Sequence, residues 1–170
     1  MAVEKYLQIG AAGITTEKAA IDSSAGAGDA GEIPALNASG LIDDTMLPAW
    51  TVADTVIATA SEALAENDVV TIYLDGTLKC QKANATDETK PAHGFVTAAV
   101  LITDPATVRL DGILTQAAVT PGIRYFLSAA TGGAVTDTAP AATGNILQVV
   151  GVAVSATQIK FRPMDPIIRA

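Results

Sequence analysis

Short apolar segments separated by turn residues recur along most of this chain, and their spacing constrains the fold more than any other feature. From about residue 51 onward, segments with strand character return roughly every eight to twelve residues. No amphipathic helix of several turns lies between them, and the one helical candidate is a single turn at residues 61–66. This spacing predicts an all-β fold, either an antiparallel β-sandwich or a small β-barrel.

The clearest local signal is a β-hairpin centred on Asp75 and Gly76. Residues 69–74 and 77–80 are rich in β-branched and other apolar side chains and flank this Asp-Gly pair. Asp-Gly is favoured in two-residue hairpin turns because both residues can take positive φ. A second signal is Pro121-Gly122, which fits a type II turn ahead of another strand.

The last predicted strand pair comprises residues 145–154 and 157–161. In its second strand, Ile159 and Phe161 alternate with polar residues and therefore share one face. The polar residues of the opposite face are Gln158, Lys160 and Arg162. We interpret residues 157–161 as a half-buried strand at the edge of a sheet.

The first 50 residues differ from the rest in composition and charge. Residues 22–31 read DSSAGAGDAG, a run too rich in glycine and small polar residues to hold a packed helix or strand. Residues 1–50 contain two lysines and seven acids, so their charge is 2 − 7 = −5, out of −8 for the whole chain. We therefore predict an extended N-terminal arm at 1–50 followed by a β-rich domain at 51–170.

Apolar side chains are scattered along this arm at spacings that fit neither a helix nor a strand for long. A segment of this kind usually becomes ordered on the surface of a partner. Trp50, the only tryptophan, stands where the arm meets the domain, where it could lock the arm down or contact a partner. The predicted interface residues are Tyr6, Leu7, Ile9, Ile33, Leu36, Leu41, Leu47 and Trp50.

Composition argues against several functional classes. A net charge of −8 repels phosphate backbones and disfavours nucleic-acid binding. The sequence has neither a membrane-length apolar run nor a signal peptide, so we expect synthesis in the cytoplasm and no membrane association. Aromatic residues are 4% of the chain, which predicts a core of Val, Ile, Leu and Ala. Cys80 is the single cysteine, and its place in a strand predicts a small buried side chain.

Motifs for catalysis or cofactor binding have weak support. Gly26, Gly28 and Gly31 spell G-x-G-x-x-G but lack the preceding strand and following helix of a dinucleotide site, so we interpret them as a flexible linker. His93 is the only histidine and has no neighbouring nucleophile motif, which favours a structural or exposed role. We therefore predict no catalytic site and no cofactor.

Two acidic pairs, Asp43-Asp44 and Asp87-Glu88, could in principle bind a hard cation. Calcium loops need several oxygen ligands at alternating positions and a bidentate acid that completes the set. Neither pair has this pattern, so we interpret both as solvated charges and predict no metal site.

One segment of the arm resembles a motif of virion proteins. AGEIPALNASGLID at residues 30–43, followed by MLP at 46–48, is similar to the linker G-K-I-P-x-L-N-x-x-G-x-I-D-x-x-x-L-P of tailed-bacteriophage head decoration proteins and tail fibres. Glu32 stands where that linker usually has lysine. The resemblance implies a structural component of a phage particle.

Most of the remaining chain resembles a small β-domain found on phage capsids and fibres. The segments that carry this resemblance are residues 64–82, GFV at 94–96, LDG at 110–112, VTPG at 119–122, YFLS at 125–128 and QVVGVAVSAT at 148–157. The resemblance implies a trimeric or fibrous virion component with no cofactor, and it supplies no catalytic residues.

Two functions are compatible with these features. In the first, the chain is a homotrimeric decoration, or cement, protein on the capsid exterior, where its arm clamps neighbouring subunits of the major capsid protein. In the second, it is a tail-fibre or head-fibre module that binds a host-surface receptor. The modest length favours decoration, because fibres are usually longer and repetitive. An enzyme is the least favoured class, because side chains for acid–base or metal chemistry are scarce.

Overall fold

The structure, a computed structural model, describes residues 4–9, 13–47 and 54–170. The chain divides into an N-terminal unit, Met1–Val52, and a C-terminal unit, Ala53–Ala170. Nearly all of the regular structure is β, which confirms the predicted all-β fold. Trp50 lies outside the described residues.

Strands occur in both units of the described chain. The N-terminal unit contains β1 (Lys5–Ile9) and β2 (Thr15–Ala19), with 3-10 turns at Ala27–Asp29 and Asp44–Met46. The strands of the C-terminal unit are β3 (Thr55–Ala60), β4 (Val69–Asp75), β5 (Thr77–Lys82), β6 (Gly94–Val96), β7 (Pro105–Arg109), β8 (Gly112–Thr115), β9 (Arg124–Leu127), β10 (Val135–Thr136), β11 (Ile146–Leu147), β12 (Val149–Ser155), β13 (Gln158–Phe161) and β14 (Ile167–Ile168).

The N-terminal unit is not the fully extended arm that we predicted. β1 and β2 form an antiparallel hairpin in which Lys5 pairs with Ala19 and Ile9 with Thr15. After the hairpin the chain makes a loop that is closed by a parallel bridge between Ile21 and Pro34. The strands escaped sequence analysis because neither face is buried, and a strand without a buried face need not show clear apolar alternation.

Five strands of the C-terminal unit close into a barrel in the order β3-β5-β4-β6-β7. Its neighbours are antiparallel except β3 and β5, which pair in parallel with Thr59 opposite Lys79. A barrel of five strands has a narrow interior, so only small and β-branched side chains fit it well. The buried apolar residues of this interior are Ala58, Ala60, Leu64, Val70, Cys80, Val96, Ala106 and Val108.

One wall of the barrel belongs to a second core. Val69 and Phe95, paired across β4 and β6, point away from the barrel interior, whereas their chain neighbours Val70 and Val96 point into it. All four side chains are at most 1% exposed. Because successive strand residues face opposite sides, these two strands separate the two cores and contribute to both.

The second core lies between this wall and a five-stranded sheet with the order β10-β9-β12-β13-β8. Phe95 of β6 meets Phe161 of β13 edge to face, with ring centroids 5.1 Å apart. Tyr125 is also buried here. The predicted core of Val, Ile, Leu and Ala therefore describes the barrel interior well, but it misses the aromatic centre of the larger core.

The predicted edge strand is an internal strand. Ile159 and Phe161 are buried as expected, but β13 pairs with β12 on one side and with β8 on the other. The sheet instead ends at β8 and at the two-residue β10. The distant partner β8 was not apparent because register between remote strands leaves no local sequence signal.

The predicted hairpin is present, with a tighter turn. β4 and β5 pair as far as Asp75 opposite Thr77, so Gly76 alone forms the tip, and it has a φ of 69°. Asp75 does not take the predicted positive φ. The predicted helical turn at 61–66 is absent, and Leu64 instead bridges to Val100.

A buried glutamine joins three parts of the C-terminal unit. Gln148 is 2% exposed, and its side-chain amide both accepts from the Ala92 amide at 2.7 Å and donates to the Ala92 carbonyl at 3.0 Å. It also donates to the Met164 carbonyl at 2.9 Å. The side chain therefore replaces a missing strand neighbour and satisfies backbone groups that burial would otherwise leave unpaired.

Replacing Gly151 by alanine should destabilise the C-terminal unit by about 1–3 kcal/mol or more, the usual cost of overpacking. A Cβ at this β12 position would lie 2.3 Å from the Lys160 carbonyl oxygen and 2.7 Å from Ile159, so the strand pair would have to separate. Gly132→Ala is the matched control, because its Cβ would meet its nearest neighbour at an ordinary 3.5 Å. Urea denaturation of both variants tests this, and equal stability would contradict the packing at Gly151.

Candidate functional site

The N-terminal unit exposes its large apolar side chains, and none of its described residues is buried. Leu7 is 72% exposed and Ile9 is 74% exposed, although both lie in a paired strand. Large apolar side chains that find no cover within their own unit are candidates for contact with a partner. The exposed apolar residues of this unit are Leu7, Ile9, Ile14, Ile33, Leu36, Leu41, Ile42 and Leu47.

The hairpin separates two of the predicted interface residues from a third. Leu7 and Ile9 lie on one face, beside Glu17 and Thr15 of the opposite strand. Tyr6 lies on the other face and is only partly exposed. Leu7 and Ile9 are therefore available for contact, whereas Tyr6 is already engaged within the unit.

Glu32 holds the loop of the N-terminal unit against the Tyr6 face of the hairpin. Its carboxylate accepts hydrogen bonds from the Tyr6 hydroxyl at 2.8 Å and from the Lys18 ammonium. The pKa of Glu32 is lowered, first by Lys18 and then by Tyr6, because both donors favour the ionised carboxylate. Glu32 therefore has a structural role in the N-terminal unit.

The two acidic pairs use their first carboxylates to organise turns. Asp43 accepts from the amide and hydroxyl of Thr45, and Asp87 accepts in the same way from Thr89. In each case the threonine hydroxyl is the main reason that the pKa of the aspartate is lowered. Among the described residues no group of three or more His, Cys, Asp or Glu side chains is placed to hold a metal ion.

Cys80 and His93 both have structural settings. Cys80 is fully buried in the barrel, as predicted, and burial raises the pKa of its thiol. His93 is exposed at one edge, but its Nδ1 accepts the Ile72 amide at 2.9 Å and lies 3.2 Å from the Thr71 hydroxyl. Partial burial lowers the pKa of this imidazole, which favours the neutral ring that such an acceptor requires.

The glycines of the G-x-G-x-x-G match lie in the loop of the N-terminal unit. Gly26 and Gly31 have φ values of 102° and 90° and flank the three-residue 3-10 turn. Neither a strand nor an α-helix adjoins them, so the setting that a dinucleotide needs is missing from this described segment.

A groove of about 650 Å³ on the outer face of the five-stranded sheet was not anticipated from the sequence. Its lining includes Arg124, Lys160 and Arg162, together with Val152 and Met164. The outward direction of Lys160 and Arg162 follows from the alternation in β13. Arg124 joins them only through strand register, which the sequence does not reveal.

A smaller hollow of about 470 Å³ lies beside the loop between β6 and β7. Asp104 is the only ionisable residue that lines it, so it offers no acid–base pair. Next to Asp104, Thr103 has a φ of 74°, an uncommon conformation for a β-branched residue, and its amide donates to the Ala60 carbonyl at 2.8 Å.

Within the described residues, no helix combines the length and the apolar character needed to cross a membrane. Comparison of the chain with protein-family models, curated proteins and solved structures gave no match.

Stability should decrease with acidification as His93 gains a proton. Its pKa in the folded state is below the ordinary value of 6.5, so the unfolded state binds more protons. This contribution is present above pH 6.5 and is lost as the pH falls toward the folded-state pKa. Urea denaturation across this pH window measures the free energy of unfolding. This free energy should decrease less steeply with acidification for His93→Asn, whose side-chain amide oxygen can still accept a hydrogen bond from the Ile72 amide. Identical pH profiles would contradict this role.

Proposed function

We propose that this chain is a non-enzymatic structural protein of a tailed-phage particle, and that it decorates and stabilises the capsid exterior by clamping neighbouring major capsid protein subunits. The observation that carries the proposal is the N-terminal unit, which has eight large exposed apolar side chains and no buried residue in its described part. The virion-linker resemblance at residues 30–48 lies in the same unit.

The hairpin face with Leu7 and Ile9 is suited to a flat protein surface. Burial of about 300 Å² of apolar area contributes about 7 kcal/mol before ordering costs are subtracted. β1 and β2 pair only with each other in the described residues, so each also offers an open backbone edge to a strand of the partner. These two terms together provide a clamp without any need for cofactor chemistry.

The C-terminal unit is suited to serve as the rigid body that carries the clamp. Its two cores share a wall, and its buried polar groups Thr71, Ser128 and Gln148 are hydrogen-bonded. We propose a homotrimer in which three such bodies place three N-terminal units on adjacent capsid subunits. Modest affinities then combine by avidity. The open edge of β8 is one surface that such an oligomer could cover.

The receptor-binding alternative receives less support from the surface chemistry. Carbohydrate sites usually present exposed aromatic rings beside polar groups. Among the described residues every Tyr and Phe is buried or only partly exposed. The exposed surface is aliphatic, so it suits contact with capsid protein better than binding of a carbohydrate receptor.

Replacing Leu7 and Ile9 together by aspartate should weaken binding to phage particles assembled without this protein by about tenfold or more. The change removes apolar contact area from the hairpin face while leaving the C-terminal unit intact. Co-sedimentation with the particles measures the affinity. Leu74→Asp is the control, because Leu74 is 77% exposed but lies in the C-terminal unit. Equal binding by the double variant and the control would contradict the hairpin clamp.

Particles that lack the protein should break at a lower temperature than decorated particles, because the clamps between capsid subunits are missing. Release of packaged DNA on heating, followed by a fluorescent dye, measures this directly. Adding purified protein back should restore the higher temperature. Undecorated particles that are equally robust but no longer adsorb to cells would instead support receptor binding.

A further inference from the structure

The groove on the five-stranded sheet combines positive charge with an apolar floor. Strand register places Val152 of β12 directly between Arg124 of β9 and Lys160 of β13. Arg162 follows Lys160 by two residues, and Met164 completes the apolar lining. The three cations therefore surround exposed apolar side chains on a surface built from three paired strands.

Arg124 and Arg162 are cations without acidic partners. In the described residues each of the six lysines forms an ion pair, whereas none of the four arginines does. Lys160 is paired with Asp111, and Asp165 also lines the groove. The three cations and these two acids give the groove a net charge of 3 − 2 = +1, whereas the net charge of the whole chain is −8.

This charge constrains what can occupy the groove. Two copies that met through the same face would bring like charges together, which is unfavourable where water is excluded. An occupant that fits must carry carboxylates beside apolar side chains. An extended acidic peptide segment has this chemistry.

The N-terminal unit contains a segment with this chemistry. Residues 20–47 carry Asp22, Asp29, Glu32, Asp43 and Asp44 and no Lys or Arg, a charge of −5. By contrast, residues 4–19 contain Glu4, Lys5, Glu17 and Lys18 and are neutral. The exposed apolar residues of the acidic segment are Ile33, Leu36, Leu41, Ile42 and Leu47.

We infer that the acidic segment at 20–47 of one copy docks in the Arg124–Arg162 groove of a second copy. The contact would hold the oligomer together and leave the neutral hairpin free for the capsid. The inference rests on the oligomer of the proposed function and not on the capsid. Because the charges lie at the surface, association should weaken as salt is added.

The test is a charge exchange in the full chain, with association measured by analytical ultracentrifugation at low salt. Arg124→Glu with Arg162→Glu should raise the dissociation constant by about tenfold or more. Asp22→Lys with Asp44→Lys should do the same, although it reduces the overall negative charge and hence the general repulsion between copies. Asp22 and Asp44 are exposed and take part in no ion pair in the described residues, so their replacement should spare the fold.

Mixing the two variants should restore association in part, because in a mixed trimer two of the three groove–segment contacts join opposite charges. Lys90→Glu with Arg169→Glu is the control, since it makes the same change in net charge at residues that do not line the groove. This control should associate like the unaltered protein. Leu7→Asp with Ile9→Asp should also associate normally, even if it no longer binds particles, which separates this inference from the proposed function.

Three results would overturn the inference. The first is an unaltered protein that is monomeric under these conditions. The second is unchanged association of the Arg124→Glu, Arg162→Glu variant. The third is a chain with all four changes that stays dissociated, because each of its grooves would again meet a segment of opposite charge. Circular dichroism of each variant should show the unaltered β spectrum, and a variant that lacks it is replaced by the glutamine or asparagine equivalent.

Discussion

The wall formed by β4 and β6 is the constraint on which the C-terminal unit depends. Val69 and Phe95 face the large core while Val70 and Val96 face the barrel interior, so neither side of the wall is exposed to solvent at these positions. Phe95 then meets Phe161, which joins the barrel to the sheet. A change in the register of either strand by one residue would exchange the side chains of the two cores, so the pairing must be specified from both sides.

The N-terminal unit is organised by a different balance of forces. Backbone pairing of β1 with β2, the Ile21–Pro34 bridge and the contacts of Glu32 define its conformation, without a buried side chain in the described part. Hydrogen bonds and surface ion pairs each add little net stability. The apolar side chains of the unit consequently remain exposed and available to other chains. Both proposals depend on this exposure.

Local turn chemistry and side-chain alternation explain the features that were predicted correctly from the sequence. The hairpin at Gly76 and the turn at Gly122 follow from residues that accept positive φ, and the buried positions of Ile159 and Phe161 follow from simple alternation. Pairings between remote segments were not predictable, because the neighbours of β13 and of Arg124 depend on strands that lie far apart in the sequence. Of the candidate interface, the apolar residues were identifiable from composition, but the cationic groove required the register.

The order of the strands has a consequence for how the chain folds during synthesis. All five barrel strands precede all five strands of the sheet in the sequence, so the barrel can close before the sheet has left the ribosome. At that stage Val69 and Phe95 are exposed to solvent. They remain exposed until β13 has been synthesised and packs against them. Between these two events the uncovered wall is a surface through which nascent chains can aggregate.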